Sequence, residues 1–157
     1  MSVVDEVREA NRSYASDFSK GDLPMPPGRK FAVVTCMDAR LDPAKFLGLD
    51  EGDAHVIRNA GGVVTDDALR SLVISHHLLG TQEAFVIAHS DCGMLTFQDE
   101  QLQDRLNTDL EFHAFPDLEG NVHAGVQKIQ DSGLLPDTFK AHGFVYDVKT
   151  GELREVG

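Results

Sequence analysis

The sequence predicts an α/β fold: a mostly parallel central β-sheet flanked by helices. Three observations lead there. Residues 31–35 and 84–88 are short, unbroken apolar runs, which read as strands buried on both faces. A helical pattern lies between them, from about residue 65 to 79. Strand and helix therefore alternate, the order that builds a parallel layered sheet.

The elements follow in order. Residues 3–19 set Val3, Val4, Val7, Ala10, Tyr14 and Phe18 at helical spacing among charges, predicting an amphipathic helix stopped by Gly21. Leu23-Pro24-Met25-Pro26-Pro27-Gly28 cannot continue a helix and reads as an extended connector. A helical arm set apart in this way, over residues 1–22, has little local core and is expected to lie across a partner subunit. Residues 31–35 form the first strand. A weaker strand over 54–57 precedes the flexible Asn59-Ala60-Gly61-Gly62. The next helix starts near Thr65, with Asp66 and Asp67 complementing its dipole. Leu69, Leu72, Val73, His76 and Leu79 share one face, and Gly80 closes the helix. The third strand covers 84–88. Residues 93–106 and 121–131 read as helices, the second capped by Asn121 with Val122, Val126 and Ile129 inward; 107–120 is left unassigned. Finally, 143–148 and 152–156 flank Lys149-Thr150-Gly151, a C-terminal hairpin. The 157 residues are expected to form a single domain.

Composition narrows the function. With 26 acidic against 14 basic residues, the formal net charge is −12, which repels phosphate backbones and argues against nucleic acid. No apolar run approaches the roughly 18 residues of a membrane span. Asp5, Glu6 and Glu9 do not suit a signal peptide. The expected location is the cytoplasm, where the two cysteines, Cys36 and Cys92, would stay reduced.

Both cysteines sit in richer patterns than a disulfide requires. Cys36 directly follows the first strand and His89 the third, so two distant stretches deliver ligand-type side chains to the carboxyl edge of one sheet, where ligands of α/β sheets bind. His89-Ser90-Asp91-Cys92 offers an imidazole and a thiol that can converge on one ion. Two thiolates and an imidazole suit Zn²⁺, and three ligands leave a fourth position for water. Two thiolates acidify that water less than three imidazoles do, so a nearby group must help to orient hydroxide. Asp38 and Arg40 are placed for this: in an extended segment, alternate residues share a side. Asp38 could accept the hydroxide proton, with Arg40 gripping the carboxylate through a two-pronged hydrogen bond. Alternatively, Asp38 could itself ligate the metal and close the site. Each part alone is commonplace. A His-x-x-Cys pair arises by chance, a single Cys after a strand is usually buried filler, and an Asp two before an Arg is usually a solvated ion pair. Their combination at two strand ends points to zinc.

In this order, Cys36-Met37-Asp38-Ala39-Arg40, Arg58-Asn59-Ala60-Gly61 and His89-Ser90-Asp91-Cys92-Gly93 resemble the Cys-x-Asp-x-Arg, Arg-Asn-Ala-Gly and His-x-x-Cys-Gly segments of the β-class carbonic anhydrases. The resemblance runs from about residue 25 to 156, is to the compact bacterial and archaeal branch, and takes in Gly143-Phe144-Val145-Tyr146-Asp147. It implies zinc held by Cys36, His89 and Cys92, with Asp38 and Arg40 as a catalytic dyad. The implied reaction is reversible hydration of carbon dioxide to bicarbonate and a proton by a zinc-bound hydroxide. A homodimer, or a multiple of dimers, is implied as well. The same branch contains hydrolases of carbonyl sulfide and carbon disulfide, the alternative reading at the same zinc site. A zinc-binding protein without turnover is a further alternative; a Cys36–Cys92 redox pair would leave His89 and Asp38 without a role.

Remaining residues are weighed against structural roles. Gly61 and Gly62 either let backbone approach the cleft or simply turn the chain. Arg58 reads chiefly as a support for its loop. Ser90 and Asp91 are expected to orient the ligand turn through backbone amides. His55, His76, His77, His113, His123 and His142 could shuttle protons by their ordinary pKa, but His76, on an apolar face, reads as a core histidine.

Overall fold

Six consecutive buried residues make β1 (Phe31–Cys36) the centre of the molecule. In the computed structural model, which describes residues 1–157, β1 pairs in parallel with β2 (Ala54–Asn59) and, on its other side, with β3 (Glu83–His89). β4 (Lys140–Tyr146) adds in parallel to β3, and β5 (Leu153–Glu155) returns antiparallel to β4. The order is β2-β1-β3-β4-β5, the mostly parallel sheet with a terminal hairpin that the sequence predicts.

Alternation along each strand divides the core between two faces. Ala32, Val34, Ala84, Val86 and Ala88 meet Leu72 of α3 (Asp66–Leu79) and Val122, Val126 and Ile129 of α5 (Leu118–Gln130). Phe31, Val33 and Ile87 point the other way, against Phe46 and Leu47 of α2 (Pro43–Leu47) and the aromatics Phe85 and Phe144. The first face is sealed by two long helices. The second carries only one short helix and leaves Val56 exposed.

Several elements differ from expectation, each for a local reason. α1 (Val3–Ser16) starts on a Ser2–Asp5 capping box but ends at Ser16, before the predicted Gly21, and all its residues are exposed. Residues 93–106 are not one helix: a 3₁₀ turn over Gly93–Leu95 precedes α4 (Asp99–Leu106). The Asp99 carboxylate accepts the amides of Phe112, His113 and Ala114, tying the unassigned loop to the start of α4. Helix α5 begins earlier than 121. Its cap is Asp117, whose Oδ2 accepts from Gly120 N at 2.7 Å, and not Asn121. The short α2 was not anticipated, although its Asp42 cap, Pro43 and left-handed Gly48 are recognisable signals. No helix is long and apolar enough to cross a membrane.

The topology creates a crevice. From β1 the chain passes to β2 on one side, then crosses to β3 on the other. The loops leaving β1 and β3 therefore diverge at the carboxyl edge, where α/β sheets bind ligands. Thr35 pairs with Ile87 in register, so Cys36 and His89 end adjacent strands.

Candidate metal centre

Cys36, the last residue of β1, is buried, with its thiol turned into the crevice. The chain then folds into an Asx turn: Asp38 Oδ1 accepts from Arg40 N at 2.8 Å. This turn, rather than the expected extended strand, brings Asp38 and Arg40 to one side. Arg40 closes on the carboxylate with both prongs, Nε to Oδ1 at 3.0 Å and Nη2 to Oδ2 at 2.7 Å. Arg58, at the end of β2, pins the turn from beneath by donating to the carbonyls of Cys36 (2.9 Å), Asp38 (2.8 Å) and Leu41 (3.3 Å). Its role is the loop support that the sequence suggests.

Gly61 and Gly62 press against the same strand end. Gly61 N donates to Cys36 Sγ at 3.3 Å. A Cβ on Gly62 would stand 2.9 Å from Thr35 C and 3.0 Å from Cys36 N, and its φ is +63°. Backbone therefore packs on backbone here, and a side chain would push the loop off Cys36. Gly61, at φ +91°, leaves similar space to Phe115 and Met94.

From β3 come His89 and, after a turn, Cys92. His89 is fully buried, and its Nδ1 lies 2.7 Å from Ser90 O. A carbonyl can only accept, so Nδ1 carries the proton and Nε2 presents a lone pair. That Nε2 is buried without a hydrogen-bond partner. One ligand atom from each of Cys36, His89 and Cys92 lies within 4.8 Å of the others. An orphaned imidazole nitrogen facing two thiols is unfavourable when empty and fits a thiolate-loving cation such as Zn²⁺.

Electrostatics favour the same use. Burial alone would raise the Cys36 thiol, but the facing His89 imidazole and the amides of Asp38 and Gly61 bring it down to about 7. Burial and the neighbouring Cys36 push Cys92 up to about 11. Although burial opposes it, the nearby Cys36 thiol and the bond to Ser90 O raise His89. Arg40's side-chain and backbone donors hold Asp38 well below the usual carboxylate range. Asp38 Oδ2 stands 3.7 Å from His89 Nε2, at the edge of the ligand cluster.

Other contacts were not anticipated. Asp91 bonds Arg40 rather than a backbone amide, while Ser90 Oγ does accept an amide, that of Val148, at 3.0 Å. Leu41, Met94 and Phe115 form one buried cluster with the two cysteines. Nothing in the sequence near Phe115 singled it out; its place follows from the Asp99 clamp on the preceding residues. His76 is half-buried, donating from Nδ1 to Thr81 O and set edge-on to Phe139.

Comparison with known proteins agrees with this geometry. Residues 31–113 match the family model described as carbonic anhydrase. β-Carbonic anhydrase 1 of Mycobacterium tuberculosis is 46% identical, over 99% of each chain. A carbon disulfide hydrolase of Acidianus sp. is 31% identical, over 97% of this chain and 88% of that one. The crystal structure of a carbonic anhydrase from Streptococcus mutans superposes with a TM-score of 0.92 at 44% identity, covering 100% of this chain and 99% of that one.

Proposed function

The chain belongs to the carbonic anhydrase family, in its β class, and on that premise we propose that it catalyses reversible hydration of carbon dioxide to bicarbonate and a proton, as a zinc lyase. The observation that carries this is the pairing of an orphaned His89 Nε2 between two thiols with a carboxylate, Asp38, kept ionised beside it. A structural zinc site needs no such carboxylate and usually closes with a fourth ligand.

Cys36 Sγ, Cys92 Sγ and His89 Nε2 would hold the metal. Zinc, when bound, supplies a Lewis acid that brings the pKa of water towards about 7. The protein's own groups do the rest. Asp38 accepts a hydrogen bond at Oδ2 from the attacking water, turning its lone pair towards the carbon of the linear substrate. Arg40 keeps that carboxylate ionised by donating to both oxygens, and would so hold it back from a metal bound by the three ligands. Leu41, Met94 and Phe115 give the cleft an apolar wall that suits a small nonpolar gas. Arg58, Gly61 and Gly62 hold the Cys36 end of the site.

The carbon disulfide hydrolase relative supports a second reading, in which the same groups direct water at carbon disulfide or carbonyl sulfide, each C–S bond giving way to a C–O bond so that hydrogen sulfide and finally carbon dioxide leave. Assaying zinc content alongside turnover of the three gases separates the readings. Zinc with carbon dioxide hydration sustains the first, turnover of a sulfur gas alone the second, and zinc without turnover a binding protein.

The same reading includes a homodimer or a multiple of dimers, with residues 1–157 as one unit and residues 1–22 as its arm. Its support is the exposed Val3, Val7, Tyr14 and Phe18 along α1 and just beyond, an apolar stripe with no partner in its own chain. The half-covered face of the sheet, with Val56 exposed, offers apolar surface for a second copy. A cytoplasmic location completes the reading, since thiolate ligands persist best in a reducing compartment.

A further inference from the structure

Arg40 has two anchors, and Asp38 is only one of them. Besides its fork on Asp38, Arg40 donates from Nη1 to Asp91 Oδ2 at 2.9 Å and from Nη2 to Asp91 O at 2.9 Å. All three guanidinium nitrogens are thus committed, shared between residues on opposite sides of the crevice. Asp91 reaches Arg40 through a left-handed backbone, φ 56°, which an aspartate tolerates better than most side chains.

The two anchors do different things. Asp38 and Arg40 are two positions apart in one turn, so their mutual grip ties the two side chains to each other but not to the opposite loop. Asp91 belongs to the other loop, between the ligands His89 and Cys92, and supplies the fixed point. The Arg40 and Asp91 side chains are 46% and 75% exposed, so the pair adds little to stability. Its effect is on direction.

We infer that Asp91 is a positioning residue: acting through Arg40, it fixes the Asp38 carboxylate beside the ligand cluster, so that Asp38 handles the reacting proton instead of entering the metal's coordination. It touches no reacting atom. The effect on turnover rests on the hydration reading above, whereas the effect on Arg40 rests on geometry alone.

Two variants test this. Asp91→Gly removes the carboxylate, leaving Arg40 only the backbone carbonyl at position 91, at a backbone angle that glycine accepts freely. Asp91→Asn keeps an oxygen acceptor and also tolerates that angle. In ¹⁵N-labelled, zinc-loaded protein, the Arg40 Nε–H should exchange with solvent several-fold faster in Asp91→Gly and return towards the wild-type rate in Asp91→Asn. Carbon dioxide hydration should follow, with kcat down roughly ten-fold in Asp91→Gly, as expected for a misplaced catalytic group, KM nearly unchanged and zinc stoichiometry intact. Placed on Arg40→Ala, Asp91→Gly should add no further loss, because the route through Arg40 is already cut. Unchanged Arg40 exchange, an unchanged kcat, a loss fully additive with Arg40→Ala, or loss of zinc would each overturn the inference. Faster exchange in a protein that hydrates none of the three gases would leave the Asp91 anchor standing and remove the hydration reading.

Discussion

His89 Nε2 faces Asp38 Oδ2 at 3.7 Å, beyond hydrogen-bonding distance, while Arg40 Nη2 holds that same oxygen at 2.7 Å. The carboxylate is thereby kept next to the imidazole nitrogen without satisfying it. Nε2 is left for a metal and Oδ2 for a proton. This division of labour is what separates a working site from a closed structural one.

The three ligands should act as a set. One zinc per chain is expected, and Cys36→Ser, Cys92→Ser and His89→Ala should each lose most of it. Metal analysis of purified variants checks this; a variant that keeps full zinc removes that residue from the set. Metal binding joins the ends of β1 and β3, so apoprotein should also melt at a lower temperature than loaded protein.

Zinc affinity should rise with pH, because the metal binds thiolates and expels their protons. In the empty site Cys36 ionises at about 7 and Cys92 at about 11. Well above about pH 7 the Cys92 proton is displaced by zinc, and the logarithm of affinity should climb about one unit per pH unit; towards lower pH the Cys36 and His89 protons must be displaced as well and the slope should steepen. Competition with a chromophoric chelator from pH 6 to 9 measures it. A flat profile would mean that the thiols are not the donors.

Gly62→Ala should damage the site from outside the ligand set. The added Cβ meets Thr35 C at 2.9 Å in a left-handed backbone, a strain of about 1–3 kcal/mol. Denaturant titration should register that loss, and zinc titration should show weaker binding as the Gly61 amide leaves Cys36 Sγ. Wild-type stability and zinc affinity in Gly62→Ala would show that the close approach is dispensable.

How far these features were legible depends on the range of the interaction. β1 and β3 announce themselves because buried parallel strands need unbroken apolar runs. The Thr65 cap and Gly80 stop of α3 are local chemistry and are readable for that reason. Spacing and residue type likewise pointed to Cys36, His89 and Cys92, which lie within reach of one another. The start of α5 was displaced because periodicity marks a face but not an end; the Pro116-Asp117 pair was the better boundary signal. The 93–106 segment breaks because Asp99 is drawn to the amides of residues 112–114, a contact that no local pattern encodes. Asp91 looks like an amide acceptor in the sequence for the same reason: its partner, Arg40, lies 51 positions away.

Removal of residues 1–22 should dissociate the assembly, since α1 contributes nothing to the core of its own chain. Sedimentation of the truncated and full chains is the test. An unchanged oligomer would show that α1 does not hold the copies together, while dissociation with retained zinc would separate the role of the arm from that of the site.

The most direct test of the mechanism is the zinc content and carbon dioxide hydration rate of Asp38→Asn beside wild type, by stopped flow from about pH 6.5 to 9, the range in which metal-activated water ionises. The amide keeps the shape of Asp38 but offers an NH₂ where the water needs an acceptor. Zinc should stay at one per chain while turnover falls by about 10²–10⁴-fold, the contribution of a positioned proton-handling side chain. Full hydration activity in zinc-loaded Asp38→Asn, or a wild type that holds zinc and hydrates nothing at any pH, would contradict the account.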